Sequence, residues 1–501
     1  MRRDPRPSPL RRAALVLALL LPAASPAAAQ ESPPQVFFTL RHHPHFLLAP
    51  SDFEGWLKMA EEWGFGGIAF EVAWGAVERN EGEFDFRVHD KRVRDMLARG
   101  FALQVKLNFR YFPRDLGAGE QMHSADGSPL RVRLELGETG TPAIADPALV
   151  ERMARFAKAA AANFKGLPVV SYTPFIDWGL ETGYDGRVWT DYSPAAVQGF
   201  RAHLRRHYLT IESLSEAWRM PFKDWSEVGI AFDGKQIGRG AADLRAPYLD
   251  FVRYREEAMR GFVDRMAAAV KDGDPDAKLA VQVARLYSGE AAMRGGVGIF
   301  NWARAADEII IDPAPTDDAL MAVDWIRAGK KFPSAEVTGP AEFDLYQVDF
   351  ARGFRSQIRS VVQGGARRVY VANFSKPDIE GFPFARSEVL KAATTRAIAP
   401  IRDVAIYHSK WDLYAYHGSG YPELSFRPQD AATRPIDVIT DDLFIDDPRF
   451  LERYKLIYVP RGDYVSEKAY AALKNSGARL LSLRGTFGAH DESGARRPEG
   501  E

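Results

Sequence analysis

The chain has 501 residues, no cysteine, and 67 acidic against 66 basic residues. The lack of cysteine excludes disulfide staples and a cysteine-linked lipid anchor, and the near balance of charge excludes a general attraction to nucleic acid. A chain this long can bury a sizeable core without staples, and it exceeds the usual size of one domain, which suits a large domain followed by a smaller one.

Residues 1–30 read as an export signal. Arg2, Arg3, Arg6, Arg11 and Arg12 precede the apolar run Ala13–Leu21, and a small-residue stretch ends in Ala27-Ala28-Ala29. That order of basic region, short apolar core and small-residue end is that of a cleavable leader. The apolar run is shorter than the roughly 17–25 residues of a membrane span, and no later stretch reads as one. The expected address is the periplasm or the medium, with no stable membrane insertion.

From Gln35 to about Pro400, short apolar runs alternate with longer helical patterns. The first strand is Val36–Leu40, followed by a helix over Asp52–Trp63 with Phe53, Trp56, Leu57 and Ala60 on one side. Strand two is Gly67–Val72 with a helix over His89–Arg99, and strand three is Ala102–Phe109. A long loop reaches Asp146, which with Pro147 forms an N-cap and first-turn pair for a helix to Phe164. Strand four is Pro168–Asp177; helices over Pro194–His207 and Tyr248–Lys271 follow, separated by a loop-rich insertion. Strand five is Lys278–Ala284, strand six Glu308–Pro313 with a helix over Asp317–Ala328, and strand seven Phe332–Gly339 with a helix near Gly353–Gln363. Strand eight is Arg367–Phe374, and a helix from Arg386 ends the series. Continuous apolar strands separated by helices require a parallel sheet covered on its outer face, and eight such units predict a (β/α)8 TIM barrel over 31–400.

Beyond Pro400 the pattern restarts. Asp403–Ser409, Pro435–Thr440 and Lys455–Pro460 read as parallel strands, a helix begins at Ser466 and ends at Gly477, and 478–483 supplies another strand. This predicts a small open-sheet α/β domain over 401–490, with 491–501 as a polar tail.

Barrel active sites gather at the C-terminal ends of the strands. Glu181 follows strand four, and Glu336 lies near the end of strand seven, so the two would face each other across one mouth. Paired carboxylates there suit hydrolysis of a glycosidic bond with retention: one attacks the anomeric carbon while the other protonates the leaving oxygen, at a separation of roughly 5–5.5 Å. Glu181 is assigned as acid/base and Glu336 as nucleophile, with Glu342 the substitute nucleophile and a solvated loop residue the bland reading of Glu181. Glu71, Asn108, Arg110, Asp177, Gln282 and Asn373 occupy the same rim and can bind sugar hydroxyls, as can Arg285 and Asp312. Trp74, Trp178 and Tyr184 can stack on a sugar ring or serve as packing. His42-His43-x-His45 lacks a matching carboxylate, and no phosphate-binding loop, dinucleotide fingerprint or H-E-x-x-H occurs, so no metal and no cofactor is expected.

The block 73–107 carries Trp74, Glu78, Gly82, Phe84, Phe86 and Asp90 as W-x-x-x-E-x-x-x-G-x-F-x-F-x-x-x-D. With the blocks 196–218 and 248–266, it resembles the family 42 glycoside hydrolases, barrel beta-galactosidases of the retaining clan. The stretch 454–481 is similar to that family's amidotransferase-like second domain, which implies a homo-oligomer, commonly a trimer. The resemblance implies acid/base catalysis by Glu181, nucleophilic attack by Glu336 and a beta-linked sugar, such as a beta-galactoside, as substrate. Leu180 stands where the family carries an asparagine beside its acid/base glutamate, and the family's zinc-cluster cysteines are absent. That departure leaves open a changed specificity, or a non-catalytic carbohydrate-binding or assembly protein on a degenerate barrel.

Overall fold

The computed structural model describes residues 33–497 except 41–48, 135–136, 177–180, 185–187, 231–244, 285–297, 313–318, 346, 373, 375–381, 417–425 and 430–433. The proposed leader, the His42–His45 run, Asp177, Trp178, Leu180, Arg285 and Asn373 therefore lie outside the described residues.

Eight parallel strands form one sheet: β1 (Gln35–Thr39), β2 (Gly67–Ala73), β3 (Ala102–Asn108), β4 (Val169–Phe175), β5 (Ala280–Ala284), β6 (Glu308–Asp312), β7 (Phe332–Val337) and β8 (Arg368–Val371). They pair in the order β4-β3-β2-β1-β8-β7-β6-β5. The two ends meet where the amide of Tyr172 donates to the carbonyl of Lys278 at 2.9 Å and Tyr172 bridges Leu279 in parallel. This closure makes the sheet a (β/α)8 barrel, as the eight-unit count predicts.

Alternation sets what faces inward. Phe37, Ala69, Ala280, Ile310 and Tyr370 form a cluster of their own within the ring, while the neighbouring residues of each strand join the larger core under the helices. Because the side-chain period of a strand is two, Glu71, Lys106, Gln282, Asp312 and Glu336 share the inner face with that cluster. A register shift between Leu103 and Gln104, opposite β4, keeps Thr173 and Phe175 inward.

The strands begin within two residues of the sequence expectation and end within two, except β8, which stops three residues early at Val371. Asp146 caps the helix Pro147–Asn163, its carboxylate accepting from the amides of Ala148 (2.8 Å) and Leu149 (3.3 Å). Short elements escape the sequence reading. The long third loop contains an antiparallel hairpin, Arg131–Leu134 with Gly137–Gly140, and the insertion after β4 contains the helix Ile211–Trp218. Both are too short to show a periodic pattern that stands out from a loop.

The second domain is a parallel sheet of β9 (Ile401–Tyr407), β10 (Ile436–Ile439), β11 (Leu456–Val459) and β12 (Arg479–Ser482), in the order β10-β9-β11-β12. Ser466 caps its helix Glu467–Lys474 through the Ala469 amide, and Gly477 takes the left-handed conformation (φ +74°) just beyond. A buried cluster welds this domain to the barrel. Lys410 Nζ lies 2.9 Å from Asp442 and 3.3 Å from Glu256 of the long helix Arg245–Gly273, and the Tyr414 hydroxyl donates to Glu256.

Candidate active site

β3, β5 and β7 each deliver one polar side chain to the same point inside the upper barrel. Glu336 is fully buried, and its Oε2 accepts from Gln282 Nε2 at 3.1 Å and from Lys106 Nζ at 3.3 Å. Lys106 also donates to Gln282 Oε1 (3.3 Å) and lies over the Phe175 ring, 4.8 Å from its centre. An isolated carboxylate without solvent contact is costly to bury, and the adjacent ammonium and amide donor offset that cost. On β2 and β3, Glu71 accepts from Asn108 Nδ2 at 2.7 Å, and the Asn108 side-chain oxygen accepts from the Arg110 amide at 3.1 Å.

Glu181 is placed by the chain's return to the end of β4. The Ile176 amide donates to the Glu181 carbonyl (3.1 Å), and the Thr182 hydroxyl donates to the Pro174 carbonyl (2.6 Å). Thr182 then pairs with β5: its amide donates to the Gln282 carbonyl at 2.7 Å, and its hydroxyl oxygen accepts from the Gln282 amide at 3.3 Å. One residue thus connects the two glutamates, because the backbone of Gln282 fixes the neighbour of Glu181 and its side chain holds Glu336. Glu181 keeps only 5% exposure. Two glutamates whose strand ends are linked through one glutamine, one of them paired with a cation, are of the kind that can split the roles of nucleophile and proton donor.

The other expected residues divide. Glu71, Asn108, Arg110 and Gln282 come to this upper barrel, and Asp312 ends β6 on the same face. Glu342 sits beyond β7 on the short helix Pro340–Leu345, away from the strand position that Glu336 occupies. Two aromatic expectations are corrected. Trp74 begins a short helix that turns it outward, where it is fully buried against Phe109, Phe112 and Phe156 and donates to Glu78. Tyr184 is also buried, with the Arg255 guanidinium 4.1 Å from its ring centre and its hydroxyl donating to the Arg255 carbonyl at 3.0 Å. Both rings are packing, and neither offers a face to a sugar.

Sequence reasoning missed Lys106. Its signal was present: a lysine inside an apolar strand, two residues before Asn108 and therefore on the same face. The motif around Trp74 is likewise structural. Glu78 accepts from Trp74, from Arg152 Nε (3.2 Å) and from the amide of Gly82 (2.8 Å), whose φ of +80° favours glycine.

Comparison with known proteins places this architecture. Beta-galactosidase BbgII of Bifidobacterium bifidum is 24% identical over 200 residues, which cover 38% of this chain and 27% of that protein. A catalytic mutant of a GH42 beta-galactosidase from G. stearothermophilus superposes with a TM-score of 0.69 at 15% identity, over 93% of this chain and 74% of that one. The beta-galactosidase of the Antarctic haloarchaeon Halorubrum lacusprofundi gives 0.68 at 15%, over 93% and 75%. Those two likenesses establish the shared fold. The profile of glycoside hydrolase family 42, described as beta-galactosidase, matches residues 57–323. That span is more than half of the sequence, and the chain belongs to glycoside hydrolase family 42.

Proposed function

We propose that this protein is a retaining beta-glycosidase that acts on a beta-galactoside or a closely related beta-linked sugar. The observation that carries the reading is that Gln282 holds Glu336 by its side chain and, by its backbone, Thr182, the neighbour of Glu181. Glu336 attacks the anomeric carbon as its carboxylate, the glycosidic C–O bond breaks, and Glu181 gives its proton to the departing oxygen. Glu181 then takes a proton from water, which attacks the same carbon and releases Glu336 from the sugar ester. Glu71, Asn108 and Arg110 line the mouth as candidates for the sugar hydroxyls. Neither step calls on a cofactor.

The test is a panel of aryl beta-glycosides turned over by the wild type, Glu181→Ala and Glu336→Ala. Both variants are expected to lose about 10²-fold or more of turnover, with azide restoring a part of it. Full turnover by either variant removes that residue from its role, and sugar binding without turnover by the wild type favours a carbohydrate-binding protein. The leader-like residues 1–30 and the second domain support export to the periplasm or medium and assembly as a homo-oligomer, expected as a trimer. Sedimentation of the exported protein, with its N-terminal residue read by mass spectrometry, checks both.

A further inference from the structure

The second domain meets the barrel through a buried charge cluster that the glycosidase reading does not use. Its second-domain half is Lys410, which opens the helix Lys410–Tyr416, with Asp441 and Asp442 in the turn Asp441–Leu443 after β10. Its barrel half is Glu256 on the long helix Arg245–Gly273, and the turn also packs against the barrel helix Ile299–Trp302. Lys410 Nζ reaches Asp442 Oδ1 (2.9 Å) and Glu256 Oε2 (3.3 Å), and the Lys410 amide donates to Asp441 Oδ2 (2.9 Å). Glu256 also accepts from the Tyr414 hydroxyl and from Asn301 Nδ2 at 3.2 Å. Three carboxyl groups therefore share one ammonium: among the described residues, Lys410 is the one cation in an ion pair with any of them. Asp441 Oδ1 and Asp442 Oδ2 are buried and accept no hydrogen bond among the described residues. We propose that this cluster is a proton-dependent latch between the second domain and the barrel, closed while Asp441 and Asp442 carry protons and loosened as they ionise.

The charge count gives the direction. With all three carboxyl groups ionised, one ammonium leaves two negative charges uncompensated and away from water, which burial strongly disfavours. Burial pushes the Asp441 carboxyl from 3.8 up to about 6 and raises that of Asp442 as well, although Lys410 pulls both down. Asp442 and Glu256 hold Lys410 above its ordinary value in spite of its burial, so the ammonium keeps its charge throughout. The other groups that face the two aspartates are Tyr407 of β9, Asp412 and Tyr414 of the Lys410 helix, and Arg304 beyond the helix Ile299–Trp302. Arg304 pairs with the exposed Asp446 at 2.7 Å, and Asp412 is held inside the second domain by the Tyr464 amide at 2.8 Å. An opened joint returns Asp441 to water and to its ordinary 3.8. Below that pH both states hold the proton, and between 3.8 and about 6 the closed joint alone keeps it. Closure is therefore favoured in acid, and this contribution is lost as the pH rises through 6. Trp411, Leu413 and Tyr414 belong to the barrel's apolar core, so the domain stays attached while the charged seam opens locally.

The test is hydrogen exchange by mass spectrometry on the full-length protein at pH 5 and pH 7.5, with rates corrected for the intrinsic pH dependence of amide exchange. In the wild type, protection of peptides covering Lys410–Tyr416 and Asp441–Leu443 is expected to fall about tenfold or more over that step, while that of β2 does not fall. The double variant Asp441→Asn/Asp442→Asn mimics the protonated latch and should hold its protection within about threefold across the same step. If the double variant does not fold, Lys410→Met takes its place, because it strips the carboxylates of their cation. At pH 7.5 it should lose about tenfold or more protection at the joint relative to the wild type. A wild type equally protected at both pH values overturns the latch. So does a double variant that keeps the wild-type fall, or a Lys410→Met variant as protected as the wild type. A fall shared by β2 overturns it as well, because the whole fold and not the joint would then be opening.

Discussion

Among the described residues, two buried ion pairs lie inside the ring, one toward each end of the lumen, and they are built differently. The lower pair joins Glu308 of β6 to Arg368 of β8 at 2.6 Å, and Glu308 also accepts from Ser334 of β7 and from the Tyr370 hydroxyl at 3.2 Å. Its partners come from consecutive strands, and they saturate the carboxylate. The upper pair, Lys106 with Glu336, reaches across the lumen between strands that are not neighbours, and Gln282 donates to the same oxygen as Lys106. The lower group ties consecutive strands together, whereas the upper one lies nearer the C-terminal ends of the strands, where this fold places its chemistry.

The largest expected effect separates the two ends by activity. On the proposed mechanism, Glu336→Gln should lower turnover of an aryl beta-galactoside by about 10⁴-fold or more, read by initial rates, because the proposed nucleophile is gone. The lower pair should respond in stability instead. Arg368→Met leaves Glu308 buried without its cation and should reduce the unfolding free energy by about 3–5 kcal/mol in urea titrations. Among the molecules that remain folded, kcat/KM should stay within about threefold of the wild type. A drop in kcat/KM as large as that of Glu336→Gln would erase the distinction between the two ends.

A smaller effect keeps stability and activity profiles apart. Burial holds His89, on the helix Arg87–Leu97, neutral, with its pKa lowered from 6.5 to about 4. Below pH 6.5 the unfolded chain binds this proton and the folded chain does not. The His89 contribution is therefore intact above that pH and is lost as pH falls toward 4. His89→Gln should remove a slope of about 3 kcal/mol across this window, measured as the difference between the two unfolding curves. The acid limb of activity should be unchanged by it. A shared shift would mean that the limb reports unfolding and not chemistry at the site.

The ring was legible in the sequence because each of its strands is wrapped on the outside by helices, which demands unbroken apolar runs such as Gly67–Ala73. Helix starts were legible where a cap residue announced them, at Asp146 and Ser466. The two glutamates followed from counting strands and from the family pattern. The pairing of Lys106 with Glu336 was not legible, because the partners stand 230 residues apart and sequence carries no register between strands that do not touch. Trp74 and Tyr184 misled for the converse reason. Both follow barrel strands closely, but a short helix carries Trp74 outward and Arg255 covers Tyr184. Proximity to a strand end does not say which way the next turn points.

The place where the ring joins has a consequence for how the proposed site is completed. β4 and β5 meet through Tyr172 and, at the rim, through the reciprocal bonds of Thr182 with the Gln282 backbone. Those bonds fix the residue beside Glu181 and the backbone of the side chain that steadies Glu336. Ring closure and placement of the proposed catalytic pair are therefore a single event. An intermediate with seven strand junctions made and the last one open would keep nearly all of its core and lack that arrangement. On the proposed reading, competence is gained in one step, with the final junction.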